Sequence, residues 1–135
     1  MSIPTFDATA LCSAAAVETV GSPQVRLQME SLPGVDGQYV QTHGQGGRTI
    51  EVRGVLTAAG ATPAAAHQNL KALLRARQAL ADGATVAAYV GTDAATYANC
   101  VLTSYEPAAP VHVSHSGDNY EALLHVTAQL RQLTP

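Results

Sequence analysis

The run from Tyr120 to Leu130 constrains this chain more than any other stretch, because its apolar residues recur at period two. Tyr120, Ala122, Leu124, Val126, Ala128 and Leu130 fall on one face, against Glu121, His125, Thr127, Gln129 and Arg131 on the other. A strand of this length has to pair along both edges or be covered, since an open edge recruits other chains. Two further runs share the pattern. Gln24 to Glu30 sets Val25, Leu27 and Met29 against Gln24, Arg26, Gln28 and Glu30. Arg48 to Thr57 sets Ile50, Val52, Gly54 and Leu56 against Thr49, Glu51, Arg53 and Thr57, with Val55 the exception. Gly54 inside that run marks a bulge or a close backbone approach. Shorter strands are expected over residues 15–20, 38–42, 85–90 and 111–113. Thr96 to Tyr105 is expected to place Ala98, Cys100 and Leu102 on one face and Tyr97, Asn99, Val101, Thr103 and Tyr105 on the other.

One segment breaks the period. In TPAAAHQNLKALLRARQALADG, Thr62 is a good N-cap and Pro63 suits the first helical position, where its missing N–H costs nothing. Gly83 reads as the left-handed terminator, giving a helix over about 63–82. Ala66, Leu70, Leu73, Leu74, Leu80 and Ala81 form its apolar stripe, with Lys71, Arg75 and Gln78 opposite. A helix of this length depends on tertiary packing for its stability, so the stripe needs a sheet to lie on. The fold class is therefore α+β and mainly β: an antiparallel sandwich or barrel of about six to eight strands flanked by one helix. Residues 1–23 read as an N-terminal arm and residues 24–135 as a single domain with the helix inserted.

The chain has 135 residues, of which 47% are apolar, enough for a substantial core. Only 13% are charged, about half the ~25% of an average globular domain, so the surface relies on small polar residues and on contacts with partners. A net charge of −3 argues against binding that rests on nucleic-acid or anionic-membrane electrostatics. The first twenty residues lack a basic region and their apolar run is broken by Ser13 and Glu18, which argues against a signal peptide or membrane span. Cys12 and Cys100 have no metal-like spacing and are expected to be core thiols.

Chemistry-bearing patterns are sparse. His112 and His115 form an HVSH pair, and His43, His67 and His125 could add metal ligands, but no partner spacing supports a zinc site and loop histidines are the plainer account. Gly44 to Gly47 lacks the GK[ST] ending of a P-loop and has no helix behind it, so a hairpin loop explains it better. His67, Lys71, Arg75 and Arg77 lend the helix basic character without a nucleic-acid motif around them. No nucleophile elbow and no carboxylate pair suggests catalysis. No cofactor is expected, and the chain is not expected to be an enzyme.

The order QVRLQMESLPGVDGQYVQ, RTIEVRGVLTA, NLKALLRARQALADG, ATVAAYVG, YANCVLTSYEP and YEALLHVTAQL resembles the barrel domain of phage distal tail proteins and related baseplate ring components, over about residues 24–131. That resemblance implies a β-barrel or sandwich with a flanking helix, shared with tail-tube and tail-terminator proteins. It implies a ring of identical subunits, usually sixfold, at the end of the tail tube. Its partners would be tail-tube and other baseplate or tail-tip proteins, with DNA only as passing cargo and no membrane insertion. The protein would be made in the host cytoplasm and reside in the virion tail. This chain lacks the large second domain that many distal tail proteins carry, so a tail-tube or tail-terminator subunit is the alternative. From another class, a small His-containing ligand-binding or metal-dependent enzyme domain would require His43, His112, His115 or His125 to converge. Within the ring reading, two loops are expected at subunit interfaces: Pro33, Gly34, Val35, Asp36 and Gly37 in the first, and His43, Gly44, Gln45, Gly46, Gly47 and Arg48 in the second.

Overall fold

The long alternating run after residue 118 becomes the centre of the molecule. In the computed structural model, which describes residues 3–23, 25–30, 34, 39–45 and 47–133, the strands before the helix are β1 (Thr5–Phe6), β2 (Thr9–Ala10), β3 (Ala14–Val20), β4 (Val25–Glu30), β5 (Tyr39–Gln45) and β6 (Arg48–Gly60). Helix α1 (Pro63–Gln78) follows, then β7 (Ala87–Val90), β8 (Thr96–Pro107), β9 (His112–Ser116) and β10 (Asn119–Gln132). Eight strands make one antiparallel sheet in the order β2-β1-β7-β8-β10-β6-β3, with β9 also on β10. Among the described residues, strands β4 and β5 pair only with each other. The fold is mainly β with one flanking helix, as the periodicities require.

β10 is paired on both edges. It runs antiparallel to β6 from Tyr120 opposite Gly60 to Gln132 opposite Arg48, without a break in register. Its other edge holds β9 and then β8. Ala122, Leu124, Val126, Ala128 and Leu130 are buried against Ile50, Val52 and Leu56 of β6 and Leu102 of β8. On β6, Gly54 is the site of a close approach: a Cβ there would lie 2.6 Å from Cys12 Sγ. Cys12 and Cys100 are free and buried, and burial pushes both thiols above their ordinary pKa.

The expected facing of β8 needs correction. Tyr105 lies in the core with Cys100 and Leu102, and Ala98 is exposed. Leu102 stands opposite Leu130 and Ser104 opposite Gln129, so Thr103 is an extra residue in the ladder. That bulge shifts the alternation by one and turns Tyr105 inward. Its hydroxyl then donates to the Leu11 carbonyl, tying β8 to the segment before β3. That segment is itself built into the sheet: Phe6, Leu11 and Cys12 are buried, β1 pairs with β7, and β3 pairs with β6.

Helix α1 starts where its sequence says. Thr62 Oγ1 accepts from Ala65 N at 3.1 Å, with Pro63 in the first turn. Ala66 and Leu70 are buried, and Leu73, Leu74, Leu80 and Ala81 pack at the margin of the core. The helix ends at Gln78, short of the expected 82. In its last turn Arg77 Nε donates to Ala10 O, and Gln78 Nε2 donates to Tyr105 O. These side chains anchor the helix to neighbouring backbone, and the chain turns away at once through a Leu80 N to Arg77 O bond.

Gly83 serves a separate turn, at φ +77°. The Asp82 carboxylate organises it by accepting from Ala84 N, Thr85 N and Thr85 Oγ1. Those bonds, the Ala84 one foremost, lower the carboxyl pKa to about 2. Because the folded pKa lies below the unfolded one, this group stabilises the fold above about pH 4, and the contribution is lost as pH falls toward 2. Asp82→Asn is expected to be less stable than the parent at neutral pH, with the gap narrowing on acidification in urea titrations at successive pH values.

Candidate functional site

Two surface features stand out in this fold, and the first is the β4–β5 hairpin. Its register sets Leu27 opposite Thr42, Met29 opposite Val40 and Glu30 opposite Tyr39, with an irregularity between Val25 and Leu27 that carries Val25 opposite Gln45. His43, Gly44 and Gln45, expected in a loop, therefore lie within β5. The glycine-rich composition suggests a loop, and pairing with β4 overrides it. Of the first expected interface loop, Gly34 is exposed at φ +77°, and Pro33, Val35, Asp36 and Gly37 lie outside the described residues, as does Gly46.

The hairpin joins the body at one end of the sheet. Gly21 N donates to Thr49 O on the way out. On the way back Gly47 is buried against the end of β10, where a Cβ would lie 1.7 Å from Gln132 O. Arg48 follows, its guanidinium 5.3 Å from the Tyr97 ring centroid, and Tyr97 stacks on the buried Tyr89 at 6.1 Å. Arg48 and Gln132 are opposite one another in the ladder, and Arg48 Nε and Gln132 Oε1 are both buried without a hydrogen-bond partner among the described residues. Gln132 Nε2 is satisfied by Ala98 O. The hairpin thus springs from a polar, aromatic end of the core. The Tyr89 hydroxyl, also buried and unpartnered among the described residues, has its pKa raised by burial and then by the nearby Glu18 carboxylate.

The second feature is the sheet edge at β3. Glu18 stands opposite the buried Val52, so it shares the inner face, and its carboxylate accepts from Thr92 N at 2.8 Å and Thr92 Oγ1 at 2.9 Å. This clasp draws β3 against the β7–β8 turn. Sequence reasoning missed it because the partners are 74 residues apart and neither residue belongs to a motif. Only Gly91 hints at it: a Cβ there would sit 2.7 Å from both Glu18 oxygens. An irregular register at Ala14 to Val17, with Ala15 at φ +54°, further distorts this edge. Bulges and inward charges protect edges from strand addition, so β3 is poorly suited to pair with another chain. Its outer face differs. Val17 is 61% exposed and, with Ala15, Val55, Ala108 and Val126, lines an apolar groove of about 280 Å3.

The histidines are dispersed. His112 and His115 lie on β9 opposite Leu123 and Tyr120, with the His115 ring edge-on to Tyr120 at 4.9 Å. His125 is on the outer face of β10 opposite Val55, and His67 is on α1. Among the described residues no three His, Cys, Asp or Glu side chains are grouped to hold a metal ion, and no helix is long and apolar enough to cross a membrane. Compared with known proteins, the chain matches no family model and no curated protein.

Proposed function

We propose that this chain is a structural subunit of a phage tail, one protomer of a ring at the distal end of the tail tube or baseplate on which other tail proteins dock. The observation that carries this reading is the β4–β5 hairpin, which among the described residues pairs with no strand of the main sheet. A lone two-stranded hairpin is marginal in water, so a neighbouring subunit is the natural source of its cover. Elsewhere on the body, a blunted strand edge and an exposed apolar groove favour packing of faces and loops over strand addition. The linear order of strands, turns and helix that resembles distal tail proteins supplies the rest: a ring, usually sixfold, with DNA passing through its lumen.

The test is the mass of the protein in solution, by light scattering across a concentration series, beside a variant in which residues 24–46 are replaced by a short Gly-Ser link. The Gly21 to Thr49 backbone bond holds the ends to be joined close together. The parent is expected to approach one discrete ring mass, and the variant to stay a folded monomer. A parent that remains monomeric at every concentration overturns the self-assembling ring. A variant that assembles like the parent removes the hairpin from the interface.

A further inference from the structure

A second apolar groove, of about 290 Å3, lies between α1 and the β8–β9 connection, lined by Leu70, Leu74, Pro107, Val111 and Leu124 with Lys71 beside them. Leu70 and Leu124 are otherwise core residues, so the groove reaches to the centre of the molecule. Lys71 and Arg75 are exposed, four residues apart on one helix face, and neither side chain has an ion-pair partner among the described residues. An apolar floor with the unpaired Lys71 at its side, and Arg75 one turn further along the same helix face, fits an occupant that combines apolar side chains with carboxylates.

This chain carries such a segment. Residues 30–36 read Glu-Ser-Leu-Pro-Gly-Val-Asp, a sequence in which Glu30, the last residue of β4, and Asp36 flank Leu32 and Val35 around a Pro-Gly pair in the connection to β5. The base of the hairpin and the groove lie at different points along β6. The hairpin leaves and rejoins the sheet beside Arg48, whereas Leu124 in the groove stands opposite Leu56, eight residues further along β6 and about 26 Å away at ~3.3 Å per residue. Resting on the ring reading above, we infer that the 30–36 segment of one copy seats in the α1 groove of the next, with Asp36 or Glu30 against Lys71 and Arg75 and with Leu32 or Val35 on Leu70 and Leu74. Such a contact is head-to-tail and heterologous, the kind that closes rings or builds stacks.

The test uses two full-length charge variants, Lys71→Glu and Asp36→Lys, each alone and then mixed in equal amounts, with assembly followed by light scattering. Each variant alone faces like charges across the contact, and its half-assembly concentration is expected to rise roughly tenfold or more. In the mixture every junction between unlike copies is complementary. At one the original Asp36 meets the original Lys71, and at the next the two substituted side chains meet, again with opposite charges. Assembly is expected to return to within about threefold of the parent, which also shows that both variants are folded. Lys71→Glu assembling like the parent overturns the groove contact and leaves the ring reading standing. A mixture that fails to recover overturns the contact between copies. A parent that never assembles overturns both inferences.

Discussion

Phe6→Ala is expected to lower the free energy of unfolding by about 3–5 kcal/mol, the range for deleting a fully buried aromatic ring. Phe6 is completely buried although it sits in a two-residue strand close to the start of the chain. Its neighbour in the ladder is Tyr89, also completely buried, and the turn that follows holds Asp7 and Ala8 at φ 52° and 60°. Removing the ring leaves a cavity against Tyr89 and weakens the one strand pairing that β7 has besides β8 among the described residues. Urea unfolding followed by circular dichroism measures it, with Val17→Ala, a change at an exposed residue, expected within about 0.5 kcal/mol of the parent as control. A Phe6→Ala loss as small as the control's would mean that the first residues lie outside the core.

Gly47→Ala is expected to be damaging for the opposite reason. The added methyl would sit 1.7 Å from the backbone oxygen of Gln132 and 2.9 Å from its carbonyl carbon. Neither side yields cheaply. Gln132 is paired to Arg48 on one edge and to Cys100 on the other, and Leu133 N donates to Asn99 O just beyond. Overpacking typically costs about 1–3 kcal/mol, and a clash with paired backbone belongs at or above the top of that range. The displacement would also move the base of the hairpin, so assembly is expected to fail before the fold does. Comparing the unfolding midpoint with the half-assembly concentration separates the two effects. Gly34→Ala is the useful contrast: nothing described lies within 4 Å of the added carbon, although its φ of +77° imposes some strain.

Much of the surface proposed for assembly is visible as a pattern, and its essential corrections come from pairing. Val25, Leu27 and Met29 announce β4 by alternation alone, but Gln45 reads as a loop residue until its pairing with Val25 of β4 makes it strand. The α1 groove could not be read from the chain, because Leu70, Val111 and Leu124 are brought together only by folding. The Glu18–Thr92 clasp was hidden for the same reason.

Local order was therefore settled by the sequence itself. A period-two pattern from Tyr120 to Leu130 and a Thr-Pro helix start at residue 62 mark the central strand and the helix, because each pattern reports which face must leave water. Where elements end and which way their residues face was decided by tertiary structure. Thr103 as an extra residue turns Tyr105 into the core, and the helix gives way after Gln78 to turns in which Leu80 N donates to Arg77 O and Ala81 N to Gln78 O, five residues before its glycine. Backbone hydrogen bonds between strands are obligatory when buried, and their partners are set by register across the whole sheet rather than by neighbours along the chain.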